Sequence, residues 1–199
     1  MHVLTFGSTG LIGRYILVEL LKHGYHVTVG CIRNRERLLS MLATHNYDHS
    51  LLSIVEGNVL DKEDVERSFA SCSSFDAVIS TIGEKPDCIG KVQSHGARLL
   101  FDAFKKFVKN VDCYFVLFAG SPILDVCEDA NGLSKLFLHS KVLPDLWRPS
   151  GDEYLRVFDM VCSDYKEITW CLVCPPMVAD KAADGVYEVA RNVHPPSPG

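Results

Sequence analysis

The chain has 199 residues, of which 47% are hydrophobic and 23% charged, and a formal net charge of −5. That length suits one domain with a sizeable core, and the composition is that of an ordinary globular protein. The acidic balance argues against general binding to nucleic acid or to an anionic membrane surface, both of which favour basic faces.

No apolar run reaches the ~18–20 residues needed to cross a bilayer. Met1-His2-Val3-Leu4-Thr5-Phe6 leads straight into a glycine-rich turn, with no basic n-region or cleavage site ahead of it. There are eight cysteines. Cys31, Cys72, Cys113, Cys162, Cys171 and Cys174 lie in or beside apolar runs, where a free thiol packs as a small hydrophobe. The expectation is a reducing, cytoplasmic setting rather than a disulfide framework.

In chain order, Val3–Phe6 predicts a strand and Leu11–His23 the helix after it, ending at Gly24. His26–Val29 is a second strand, followed by a charged helix around Arg35–Leu42. Leu52–Val55 predicts a third strand, and Asp61 caps a helix reaching about Ser71, with Asp64 placed for a capping-box-like contact. Phe75–Ser80, Tyr114–Ala119 and Thr169–Cys174 complete the strands, and Val92–Val108 and Tyr154–Tyr165 the helices. This alternation predicts an α/β fold: a doubly wound parallel sheet of Rossmann-like, NAD(P)-binding type in three α/β/α layers, as one domain over 1–199. Ser121–Ser150 carries Pro122, Pro144 and Pro149 without a clean period. It reads as a loop-rich excursion over the strand C-termini, with a short helix near Leu133–Leu138, placed to wall a substrate pocket. The tail His194–Gly199 reads as extended or disordered.

Gly7-Ser8-Thr9-Gly10-Leu11-Ile12-Gly13 joins the first strand to the first helix. Glycines there permit a tight turn and let phosphate oxygens approach, and the N–H groups and dipole of the helix N-terminus favour a pyrophosphate. An NAD site usually carries an acid about 20 residues beyond the glycines, for the ribose diol. Here Cys31-Ile32-Arg33-Asn34-Arg35-Glu36-Arg37 puts arginines after the strand and no acid at its end. Arg33 and Arg37 are the expected readers of a 2′-phosphate, with Arg35 a solvated helix residue. The cofactor expected is therefore NADP/NADPH. Asn58 and Val59 after the third strand lie beside the adenine, although Asn58 serves equally well as turn chemistry. Ser80, Thr81, Ile82 and Gly83 at the end of the fourth strand approach the ribose and phosphates, or form a plain β–α turn.

The glycine motif, the arginines after the second strand, Gly57-Asn58-Val59-Leu60, Ala77-Val78-Ile79-Ser80 and Pro175-Pro176-Met177-Val178-Ala179-Asp180 together resemble the biliverdin reductase B/flavin reductase group. That group belongs to the atypical short-chain dehydrogenases, close to NmrA-like proteins. The resemblance spans nearly the whole chain and is loosest over Ser121–Ser150. It implies a monomeric, cytoplasmic enzyme whose partner is a small planar acceptor (flavin, biliverdin or quinone), with no nucleic acid and no membrane. Members commonly have Gly-Asp where this chain has Gly57-Asn58, and the mammalian pattern has histidine where Met177 stands. The group usually continues past the Pro-rich end with another strand and helix, so either this chain is truncated or its sheet closes differently.

No tyrosine has a lysine four residues later, and Tyr165-Lys166 are adjacent, so alcohol–ketone redox by a Tyr-x-x-x-Lys pair is not expected. Flavin reduction needs only stacked rings, which makes proximity and orientation the main contributors. The pocket is expected from Ala119-Gly120-Ser121-Pro122 and Pro175-Pro176-Met177, with Ser121 as the catalytic-site polar contact or else the cap of a turn before Pro122. Cys171 and Cys174 sit on opposite faces of a strand and read as structural, and no metal is expected. His139, His194 and the acidic group Asp125, Glu128 and Asp129 read as surface residues, and Leu99, Leu100, Phe101, Phe104 and Phe107 as core. The alternative to a reductase is a non-catalytic NADP-binding sensor or scaffold of the NmrA-like kind.

Overall fold

Short runs of valine, isoleucine and aromatic residues fit a pleated surface buried on both faces, and here they form β1 (His2–Phe6), β2 (His26–Ile32), β3 (Leu52–Glu56), β4 (Ala77–Ser80), β5 (Tyr114–Phe118) and β6 (Trp170–Val173). The longer amphipathic runs form α1 (Gly13–Lys22), α2 (Arg35–Leu42), α3 (Lys62–Ala70), α4 (Val92–Phe107) and α5 (Arg148–Asp164). The structure is a computed structural model that describes residues 1–84, 92–119 and 148–175. Its sheet has the order β3-β2-β1-β4-β5-β6, with every neighbouring pair parallel. The winding reverses between β1 and β4. In such sheets, ligands bind outside the strand C-termini at that switch point.

Two cores flank the sheet. On one face Leu17, Val18 and Leu21 of α1 and Leu38 and Leu42 of α2 cover Val27, Val29 and Ile32 of β2. On the other, Phe69 of α3, Leu100, Phe101 and Phe104 of α4, and Val157 and Val161 of α5 cover Leu4, Phe6, Val78, Phe115 and Leu117. Phe101 stacks on Phe115 with ring centroids 4.1 Å apart, joining α4 to β5 at the centre of that layer. The expected three α/β/α layers are therefore present, and the aromatic face of α4 is core as its spacing implied.

The structure corrects several boundaries. α1 starts at Gly13, because Leu11 and Ile12 still belong to the turn. β2 runs on to Ile32 through an irregularity after Val29. β4 begins at Ala77, leaving Phe75 buried just ahead of it. α5 begins at Arg148, so Arg148-Pro149-Ser150 are helical rather than part of the loop. Pro149 fits there because a first-turn residue has no intrahelical N–H partner to lose. Asp61 caps α3 through its Oδ1, which accepts from Asp64 N at 3.0 Å. The reciprocal half of the capping box is absent: Asp64 Oδ2 accepts from Asn58 N at 2.8 Å. The expected Leu133–Leu138 helix and the tail lie outside the described residues.

Candidate cofactor and acceptor site

β1 ends at Phe6, and the chain turns at once through Gly7, whose φ of +80° only glycine adopts freely. Gly10 N donates to Gly7 O at 2.9 Å and closes the turn. A Cβ on Gly7 would stand 2.7 Å from the carbonyl carbon of Thr81, and one on Gly13 would overlap Gly7 O and Thr81 Oγ1. The glycines thus let the turn, the start of α1 and the end of β4 meet in one place. Thr81 fills the space beneath them, its N and Oγ1 both donating to Phe6 O at 3.0 Å. Ser8 is buried, and its Oγ donates to Thr5 Oγ1 at 2.9 Å. Its side chain therefore pins the turn, leaving only its main chain for a ligand.

No side chain caps the N-terminus of α1, and its first turn holds no acid. Among the described residues, the N–H groups of Thr9, Leu11, Ile12 and Gly13 engage no acceptor. Donors left in this way, aimed along the positive end of a helix dipole, make an anion site.

The C-terminal end of β2 lies beside this turn, Phe6 pairing with Gly30 across the sheet. Cys31 follows in a left-handed conformation, φ +54°, its Sγ 3.5 Å from Ser68 Oγ. Burial pushes its thiol up to about 11, so it stays protonated at neutral pH. Asn34 caps α2, its Oδ1 accepting from Arg37 N at 2.8 Å. Arg35 leans towards Glu56, with Nη1 to Oε1 at 3.9 Å, as expected of a solvated helix residue. Arg33 and Arg37 are exposed, and among the described residues neither side chain has an ion-pair or hydrogen-bond partner.

Other expected site residues also serve the framework. Asn58 Oδ1 accepts from Leu60 N at 3.1 Å, which realises its turn role. Val59 is half-buried against the α3–α5 core, and Ile82 is buried in it under Gly96. Gly83 is exposed beyond β4 and Pro175 half-buried beyond β6. Ser121, Pro176 and Met177 lie outside the described residues, as do His139, His194 and the acidic group Asp125, Glu128 and Asp129. Tyr165 is buried, and its hydroxyl donates to Asp102 Oδ1 at 2.6 Å. It ties α5 to α4 rather than facing the crevice.

Three polar residues gather near the end of β4: Ser80, expected near the ribose and phosphates, and Gln93 and Tyr154, to which no expectation was attached. Ser80 and Gln93 are buried, and among the described residues neither Ser80 Oγ nor Gln93 Oε1 has a hydrogen-bond partner. Tyr154 on α5 brings its hydroxyl near Gly83. No motif marks Gln93 or Tyr154; the signal in the chain is a polar position interrupting an apolar helix face. No group of His, Cys, Asp and Glu suited to a metal occurs among the described residues.

Residues 7–197 match the family described as NAD(P)H-binding. The chain belongs to that family. No curated protein sequence matches it. Among solved structures it is similar to a short-chain dehydrogenase/reductase from Vibrio parahaemolyticus, at TM-score 0.66 and 11% identity, covering 88% of this chain and 84% of that one. It is also similar to ChuY, an anaerobillin reductase from Escherichia coli O157:H7, at TM-score 0.62 and 18% identity over 93% of this chain and 77% of that one. WbmH from Bordetella bronchiseptica, solved in complex with NAD+, has TM-score 0.59 and 22% identity over 86% and 54% of the two chains. At these identities the likeness is one of fold.

The donor set fits an NAD(P)H molecule on its own terms. The glycines let the turn close against Thr81 with no Cβ in the way, the N–H groups of Thr9, Leu11, Ile12 and Gly13 lack acceptors among the described residues, and guanidinium groups stand at the neighbouring strand end. No helix among the described residues is long and apolar enough to cross a membrane.

Proposed function

We propose that the chain is an NADPH-dependent reductase that passes a hydride to a planar conjugated acceptor: a flavin, a biliverdin-like molecule or a quinone. The observation that carries the cofactor choice is the exposed, unpartnered pair Arg33 and Arg37 following a β2 that ends without an acid. When bound, NADPH supplies a hydride, and a proton from water completes the two-electron reduction of the acceptor. The main-chain N–H groups of Thr9, Leu11, Ile12 and Gly13 hold the pyrophosphate, and Thr81, bonded to Phe6 O, keeps the end of β4 against the turn. Arg33 and Arg37 pair with the 2′-phosphate.

The acceptor class rests on what α5 lacks. Its Tyr154 is followed four residues later by Phe158, and Tyr165 is committed to Asp102. A site without a tyrosine–lysine pair is poorly set up to protonate a carbonyl, whereas a stacked conjugated ring asks chiefly for orientation. The likeness to an anaerobillin reductase supports an acceptor of this kind.

The test follows NADPH absorbance with FMN, riboflavin, biliverdin and menadione in turn, with NADH as the control. Acceptor-dependent oxidation that prefers NADPH is expected. Saturable NADPH binding with no turnover on any acceptor would overturn the reductase reading and leave a cofactor-binding sensor in its place.

A further inference from the structure

We infer that Gln93 and Tyr154 read a –CO–NH– edge on the acceptor, so that the site selects a flavin or a lactam-bearing bilin over a quinone. The inference rests on the reductase reading above and names the acceptor chemistry of that same site.

Gln93 is the second residue of α4 and is 3% exposed, yet among the described residues its Oε1 has no hydrogen-bond partner. Buried amide carbonyls are nearly always paired, and leaving one unpaired is costly. Its Nε2 stands 3.7 Å from the point where a Cβ on Gly83 would lie, and Tyr154 Oη stands 4.0 Å from the same point. Among the described residues, its own chain neighbours Ile82 and Glu84 aside, no other residue has an atom within 4 Å of that point. Two polar side-chain ends, one from α4 and one from α5, therefore border a notch on the exposed side of Gly83. The notch lies just past the end of β4, on the side of the sheet where this fold binds ligands. Ser80, three residues earlier, adds a second buried oxygen without a partner on the same segment.

The spacing of the two groups is fixed from behind. Glu153, 7% exposed, accepts from Ser94 N at 3.4 Å and pairs with Arg156, tying the start of α4 to α5. That carboxylate is satisfied, so it does not compete for the ligand. Burial, with Cys174 nearby, holds the Tyr154 phenol above its ordinary range, and it remains a donor. The Gln93 amide turns about a two-fold terminal torsion and can present its carbonyl to the notch. A donor beside an acceptor complements C=O beside N–H, as in the imide of a flavin ring or the lactam of a linear tetrapyrrole. A quinone offers C=O alone. The carboxamide of the cofactor offers the same pair, so the test must separate it from the acceptor.

The experiment measures kcat/KM of the full chain for lumiflavin, 3-methyllumiflavin, biliverdin and menadione, with NADPH binding measured separately by fluorescence. The same set is repeated on Gln93→Leu. The unaltered chain should prefer lumiflavin over its 3-methyl derivative, which lacks the imide N–H, by about tenfold. Gln93→Leu should abolish that preference while leaving menadione turnover and NADPH binding within about twofold. A loss in Gln93→Leu confined to lumiflavin assigns the edge to an imide, and one confined to biliverdin assigns it to a lactam. Equal turnover of the two lumiflavins together with an unchanged biliverdin rate in the variant overturns the inference and leaves the reductase reading standing. Weakened NADPH binding with an equal loss on menadione overturns it in favour of the cofactor carboxamide. No turnover on any acceptor sinks both readings. The lumiflavin comparison needs no variant, so a poorly folded Gln93→Leu does not remove the test.

Discussion

Replacing Arg33 and Arg37 by alanine isolates the 2′-phosphate from everything else the site does. Both side chains are exposed and unpartnered among the described residues, so removing them breaks no internal contact. Folding stability should therefore stay within about 0.5 kcal/mol of the parent. A hydrogen bond to a charged group contributes about 1.5–3 kcal/mol, and exposure with salt screening favours the lower end. About 1.5 kcal/mol for each arginine corresponds to roughly tenfold in NADPH affinity for either single variant. Because both act on one phosphate, the double variant should lose between about tenfold and a hundredfold. NADH carries no 2′-phosphate, so its affinity should not change. Arg35→Ala is the internal control, since that guanidinium already faces Glu56 at 3.9 Å. The assay is a fluorescence titration of NADPH and of NADH at low and high ionic strength. NADPH binding should fall with salt more steeply in the parent than in the double variant. A double variant that weakens NADPH and NADH alike, or leaves NADPH unchanged, would refute the assignment.

Gly7→Ala places a Cβ 2.7 Å from the Thr81 main chain at a φ of +80°, and should cost more than about 2 kcal/mol in a urea titration, with loss of NADPH binding. Asp64 is held below the usual carboxylate range, first by the Asn58 N–H and then by Arg67. A carboxylate with a lowered folded pKa stabilises above its unfolded pKa, and the contribution is lost as pH falls through the folded value. Asp64→Asn should accordingly flatten the acid side of the stability–pH curve, and parallel curves would rule this out. Tyr165→Phe removes the hydroxyl donated to Asp102 and should lower stability by about 1–2 kcal/mol with NADPH affinity unchanged, as befits a tyrosine outside the crevice. At Cys31, where φ is +54°, valine should cost about 1–3 kcal/mol by urea titration and glycine clearly less.

What could be read in the sequence was whatever depends on local periodicity. The six strands, the Asp61 cap and the apolar face of α4 all follow from residue spacing, and the glycine turn follows from its place between β1 and α1. Side-chain direction was less legible. Ile82 and Val59 sit in a motif-like context, but the sheet turns them into the α3–α5 core. Ser8 looks like a phosphate ligand until Thr5, three residues back on the strand, accepts its hydroxyl. Gln93 shows the opposite failure: in the chain it is one polar residue near a helix start, and only the approach of α5 places Tyr154 beside it. Contacts between elements 60 residues apart leave no periodic trace.

The end of β2 shows how such a departure shapes the site. Val27 and Val29 face the α1–α2 core, and an unbroken strand would send Cys31 after them and Ile32 to the opposite side. Instead Ile32 lies in the α1–α2 core and Cys31 packs against the other one. The irregularity between Val29 and Ile32 and the left-handed Cys31 account for the exchange, as a bulge that re-aims the strand end. Gly30 makes room for it, since a Cβ there would stand 2.6 Å from the Phe6 ring. With Ile32 anchored inside, the next residues emerge at the surface, where Asn34 caps α2 and holds Arg33 and Arg37 on either side of that cap. Cys31 has its thiol turned inward to Ser68. The bulge turns Cys31 inward and brings Arg33 and Arg37 to the surface in the same few residues, so, on the proposed NADPH reading, cofactor preference should follow the conformation at Cys31 as well as the charges beyond it.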